Sequence, residues 1–348
     1  MESKTGQRLK TADILKGLAV LFMIMVHIME QFADKSANIS AFGQVIYFLG
    51  GPFCAPVFLA VMGYFLAVSK SNTLGFLKRG FLLFAGGILL NILRSTHLFI
   101  AIFFEKYQLD PWFYVFGADI LTLAGLSIIL IALLRLISKD NLLLYISVLL
   151  LIAGFSSFIT LENPSMKYLS GFIAGNFAHS YFPLLPWFAY VVAAYVFKIL
   201  YTRYEFLISK YNSVYLLTIG LIGIAVIVSG KFAFETANNL PLYYHHDYKF
   251  FGWTIGFMIV YLFLIHHIVK LLQNSIIIKY ISWTGKNVTL IYVFQWLIIG
   301  NLATALYQTQ DWLESILWFF SITLLASLVT LAYLKIAQYY KSKNDTIF

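Results

Sequence analysis

Asp13-Ile-Leu-Lys16-Gly-Leu-Ala-Val-Leu-Phe-Met-Ile-Met-Val-His27 is an apolar run with an amine near one end and an imidazole at the other. Lys16 and His27 stand eleven residues apart. At about 100° per residue a helix makes roughly three whole turns over that distance, so both side chains leave one face. Asp13 and Glu30 lie three residues beyond the pair, within about 60° of the same stripe. An ionisable stripe on a helix in lipid is costly and normally faces a bundle interior or a water-filled cavity. The run therefore predicts a membrane-buried helix, with Lys16 and His27 opening into one shared passage.

Working outward, the whole chain fits that reading. Of its 348 residues 61% are apolar and 11% charged, and the mean hydropathy is +0.82. These values exclude a soluble domain. Apolar runs at about 12–31, 45–69, 80–103, 113–136, 141–160, 181–201, 213–230, 250–272, 288–307 and 315–337 have helical length rather than strand alternation. They predict an all-α polytopic transmembrane bundle of about ten spans, folded as a single domain over 1–348. No small-residue cleavage site follows the first run, which reads as a retained helix. Cys54 is the one cysteine, so no internal disulfide or cysteine metal site forms.

Charge orients the bundle. With both termini in the cytoplasm, 17 of the 24 Lys and Arg residues fall in cytoplasmic segments, Lys4, Arg8, Lys78, Arg79 and Lys139 among them. Five fall outside, and Lys16 and Arg94 lie within spans. Acids such as Asp34, Asp110 and Glu162 lean outward. The net charge of +9 is spread over many short loops, which gives no reason to expect nucleic acid.

Several polar residues sit at membrane depth. His27 suits a general base or an acyl-accepting imidazole, or a neutral ring hydrogen-bonded to a neighbour. Lys16 either snorkels to headgroups or holds an anion, and Asp13 can pair with it at i, i+3. Gly50-Gly51-Pro52 and Pro56 predict a broken second span. Lys78 and Arg79 read as a cytoplasmic basic loop able to grip phosphates. Asn91, Arg94 and His97, three apart, are expected on one face, with Asp119 as the partner of Arg94 or with both on a substrate. Tyr243-Tyr244-His245-His246 is an outer aromatic stretch suited to an interfacial belt or to carbohydrate stacking. Adjacent histidines rarely ligate one ion, and no metal is expected. Gln295 is either interhelical glue or a cavity residue.

Lys16, the ten residues after it and His27 resemble the first helix of membrane acyltransferases. These include the acyltransferase-3 family and the bacterial relatives of heparan-alpha-glucosaminide N-acetyltransferase. Ala55-Pro56-Val57-Phe58 through Gly63 with Leu77-Lys78-Arg79-Gly80, Phe116-Gly-Ala-Asp119-Ile-Leu, Phe182-Pro-Leu-Leu-Pro-Trp187 and Gly285-Lys286-Asn287 through Tyr292 are similar to the second group. Lys16 replaces an arginine of the signature, which keeps charge but loses the planar fork. Phe294 and Gln295 stand where bacterial relatives often carry a histidine.

The resemblance implies acyl transfer, acetyl from acetyl-CoA, to a sugar or glycan hydroxyl or amine on the outer side. Lys16, Lys78 and Arg79 would hold the CoA phosphates, and His27 would deprotonate the acceptor or relay the acyl group. Asp13, Arg94, His97, Asp119 and Gln295 would serve the substrate. It implies partnership with the bilayer, an acyl-CoA and a carbohydrate or glycolipid acceptor, with oligomers allowed. Relatives of this size imply a bacterial cytoplasmic (inner) membrane. A transporter or flippase of a glycan or lipid intermediate, and a catalytically silent membrane relative, remain open alternatives.

Overall fold

The computed structural model describes residues 10–138, 141–159, 161, 163–272 and 274–345. Lys4, Arg8, Lys139 and Glu162, which enter the charge count, lie outside the described residues. The protein is 84% helical and forms a polytopic bundle. Its main helices are α1 (Lys10–Gln31), α2 (Ala41–Gly50), α3 (Ala55–Val68), α4 (Thr73–Arg94), α5 (Ile120–Ser138), α6 (Leu142–Phe155) and α7 (Leu184–Lys210). They continue as α8 (Asn212–Val228), α9 (Gly230–Ala237), α10 (Tyr248–Leu272), α11 (Ile276–Lys286), α12 (Val288–Leu306) and α13 (Trp312–Asp345).

All ten apolar runs are helical. Among the described residues eight spans are long and apolar enough to cross a bilayer, with α2 and α3 counted together. The 213–230 run becomes α8, bent 57° against α9, and this pair makes a ninth span if taken as one. The 141–160 run carries only a shorter apolar helix.

α1 is the axis of the bundle: 67% of its span is buried, the largest share of any span. Two glycines let the α11 backbone reach it. A Cβ on Gly17 would lie 2.0 Å from the Ile281 carbonyl oxygen, and one on Gly285 would lie 1.6 Å from that of Asp13. A similar glycine contact joins α4 to α5, where a Cβ on Gly80 or Gly125 would lie 2.8 or 2.6 Å from the opposing glycine's carbonyl oxygen.

The prolines break the second span as expected. α2 stops at Gly50, Gly51–Cys54 is non-helical, and α3 starts with Pro56 in its first turn. The freed Gly51 carbonyl accepts from the Tyr243 hydroxyl at 3.1 Å, and the Cys54 thiol donates to Ala19 O at 3.1 Å.

The third and fourth spans start and end elsewhere than the apolar runs suggest. The Asn72 side chain accepts from Gly75 N at 2.9 Å and caps α4 at Thr73. Lys78 and Arg79 are therefore helical rather than looped. α4 ends at Arg94, Ser95 interrupts, and a separate helix runs Thr96–Phe103. His97 thus leaves the face shared by Asn91 and Arg94. Asn91 reaches across to Val115 O at 3.1 Å and Gly117 O at 2.9 Å, anchoring the non-helical link into α5.

Candidate active site

Two cavities lie along the polar face of α1. The first, of about 620 Å³, is lined by His27, Glu30, Arg94, Asp119, Tyr181, Tyr244, Tyr292 and Trp296 among others. The second, of about 760 Å³, is lined by Lys16, Lys78, Arg79 and Lys286 on an otherwise apolar wall. Lys16 thus lines one cavity and His27 the other. Met23, Ile120 and Tyr292 line both cavities, which adjoin there.

His27 is held on two sides. Its Nδ1 lies 3.3 Å from Gln295 Oε1, and its ring packs on Trp296 with centroids 4.0 Å apart. An amide oxygen only accepts, so this contact puts the proton on Nδ1 and leaves the lone pair on Nε2. Trp296 also carries the Arg94 guanidinium over its ring, 4.2 Å from the centroid. Arg94 is ion-paired with Asp119 at 2.8 Å. Asp119 additionally accepts from the Tyr292 hydroxyl and from the Ile120 backbone N–H. One network thus ties α1, α4, α5 and α12 together around the imidazole.

Glu30, one turn beyond His27, accepts from the Tyr244 hydroxyl at 3.2 Å. Burial and the nearby Glu30 carboxylate push the Tyr244 hydroxyl well above the usual tyrosine range, so it stays a donor. Its position is set by Trp187, whose indole donates to Tyr244 O at 2.8 Å. The neighbouring His246 is a structural residue. Its Nε2 meets the Tyr190 hydroxyl at 3.0 Å and its Nδ1 meets Tyr243 O at 2.8 Å, while burial pushes its pKa down to about 4.

At the other end of α1, Lys16 pairs with Asp13 at 3.1 Å. Asp13 is buried and lines neither cavity. The structure gathers Lys16, Lys78 and Arg79 as grouped from sequence, and adds Lys286.

Arg94 and Asp119 line the first cavity, and each is already the other's partner. Gln295 is fully buried behind His27 rather than in the cavity wall. His97 lies outside it, with its backbone N–H and ring bonded to Asn301. Sequence reasoning did not assign Trp296, Tyr292, Glu30, Tyr244 or Lys286. Glu30 carried a signal through its place on the stripe, and Tyr292 and Lys286 through the Gly285–Tyr292 stretch. Trp296 carried none.

A family model described as heparan-alpha-glucosaminide N-acetyltransferase, catalytic, matches residues 8–223, more than half of the chain. The chain belongs to this family. No curated protein and no solved structure matches it. The match covers His27, Lys16, Lys78, Arg79, Arg94 and Asp119. Tyr244, Lys286, Tyr292, Gln295 and Trp296 come from beyond it. The heparan-alpha-glucosaminide N-acetyltransferase family thus assigns the protein to the membrane acetyltransferases.

Proposed function

We propose that the protein transfers an acetyl group from acetyl-CoA to a carbohydrate or glycolipid hydroxyl or amine, with His27 as general base. The observation that carries the reading is the back-to-back arrangement of two cavities. Four basic residues line one, the imidazole lines the other, and Met23, Ile120 and Tyr292 line both. Lys16, Lys78, Arg79 and Lys286 suit the phosphates of CoA. The acceptor would occupy the aromatic cavity around His27.

In the reaction the acceptor's O–H or N–H proton passes to His27 Nε2 as its oxygen or nitrogen bonds the acetyl carbonyl carbon. The C–S bond breaks, and the departing CoA thiolate takes up the proton. Gln295 keeps the imidazole in the basic tautomer throughout. An acyl-histidine relay would differ by showing ping-pong kinetics. The Lys and Arg asymmetry supports termini in the cytoplasm, the basic cavity on that side and, with the family's implication, a bacterial inner membrane.

The test is transfer of label from acetyl-CoA to a panel of amino and neutral sugars by full-length protein in vesicles. His27→Ala should lower kcat by about 100-fold or more, the range of a lost general base. Acetyl-CoA binding should persist, since the basic residues remain. Unchanged acetylation in the variant would remove His27 from the mechanism. Sugar translocation without transfer would replace the reading with transport, and inert wild-type protein would make the chain a silent relative.

A further inference from the structure

On the polar stripe of α1, Met23 lies between Lys16 and His27. Lys16, Met23, His27 and Glu30 follow each other at intervals of seven, four and three residues, so all four lie within about 60° of one line along the helix. Met23 is 5% exposed and sits where the two cavities meet, about 6 Å along the axis from His27. A group reaching from the basic cavity to the imidazole where the two cavities adjoin passes beside it.

The wall facing Met23 is fixed. Ile120 donates its backbone N–H to Asp119, and Tyr292 donates its hydroxyl to the same carboxylate. That carboxylate is in turn locked to Arg94 at 2.8 Å. The Ile120 backbone and the Tyr292 hydroxyl, from two of the three shared lining residues, are thus held by one buried ion pair. The third is an unbranched thioether with three rotatable bonds, the side chain best suited to yield and refill.

We infer that Met23, closing against the fixed Ile120–Tyr292 pair, sets the length of acyl chain that reaches His27. The inference rests on the acyl-transfer reading and adds a specificity residue to it. The CoA body stays in the basic cavity and only the acyl end crosses. An acetyl group adds one methyl beyond the carbonyl carbon. Each further methylene must be accommodated beside the Met23 side chain where the cavities adjoin. In a tight apolar pocket one methylene changes discrimination by about 10- to 200-fold.

The experiment is direct competition between acetyl-CoA and butanoyl-CoA, with the product ratio read by mass spectrometry on full-length protein in vesicles. Met23→Ala should raise the butanoyl-to-acetyl ratio at least about tenfold over wild type. Met23→Leu, close in volume, should leave it within about threefold. Met29→Ala removes the same side chain from the same helix at a buried position lining neither cavity. It should leave the ratio unchanged. If Met23→Ala does not fold, Ile120→Val decides from the opposite wall, with a smaller shift in the same direction.

A ratio unmoved in the folded variant, with acetyl transfer intact, overturns the inference and leaves the acyl-transfer reading standing. Wild-type protein that transfers no acyl group from any CoA overturns both.

Discussion

In the cavity around His27 the charges come already partnered. Arg94 meets Asp119 at 2.8 Å, and Glu30 accepts from Tyr244 at 3.2 Å. In the cavity around Lys16 the pattern reverses. Lys16 has Asp13, but Lys78, Arg79 and Lys286 make no ion pair among the described residues, and all three are exposed. A buried charge needs a counter-charge, as Arg94 has in Asp119, or a hydrogen-bond donor, as Glu30 has in Tyr244. Like charges converging on one exposed cavity repel, and a polyanion relieves that repulsion. The comparison separates charges that build the protein from charges that wait for something.

Removing one member from each set tests that separation. Asp119→Asn strips the Arg94 guanidinium of its counter-charge. The expected effect is a loss of about 3–5 kcal/mol, the usual result of breaking a buried pair, read as a fall in the thermal unfolding midpoint in detergent. Unaltered stability with weakened acceptor binding would instead make the pair a substrate clamp. Lys78→Ala with Arg79→Ala should behave oppositely. Stability should stay within about 0.5 kcal/mol, as for exposed substitutions generally. The acetyl-CoA KM should rise about 10- to 100-fold, because a hydrogen bond to a charged group contributes about 1.5–3 kcal/mol, and kcat should hold. A KM that does not move would make those charges orientation signals alone.

How far each half of the molecule was legible follows from the kind of pattern that carries it. Helix periodicity put Lys16 and His27 on one face and marked α1 as lining polar space. Electroneutrality marked Asp119 as the candidate partner of Arg94, with a shared substrate as the alternative, and the structure pairs the two. The Gly50–Pro56 stretch announced its own break. Periodicity says nothing of depth, however, so the stripe did not reveal that Lys16 and His27 line different cavities with Met23 bordering both. Nor does hydropathy see caps: Asn72 starts α4 seven residues before the apolar run, and Ser95 ends it before His97. Trp296, which packs against both His27 and Arg94, was invisible because an aromatic in an apolar helix resembles its neighbours. The grouping of Lys286 with Lys78 and Arg79 depends on α11 lying against α1, a contact made by two glycines far apart in sequence.

Gln295 sharpens the comparison from behind the first cavity's wall. The sequence left it as interhelical glue or as a cavity residue serving the substrate, and the structure places it behind the imidazole. Its Nε2 is buried with no hydrogen-bond partner among the described residues. An unmet buried donor costs about 1–3 kcal/mol, so stability alone gives no reason for an amide there. The Oε1 contact with His27 Nδ1 gives one. Gln295→Leu removes the unmet donor and the tautomer control together. Stability should therefore hold or rise, while kcat falls about tenfold, equivalent to about 1.4 kcal/mol of transition-state stabilisation. Both substrates' KM values should stay put, since Gln295 touches neither cavity. A rise in acceptor KM at constant kcat would return Gln295 to the substrate and leave His27 without its orienting partner. The split between KM and kcat is the deciding measurement because only a group acting through the imidazole lowers kcat while leaving both KM values alone.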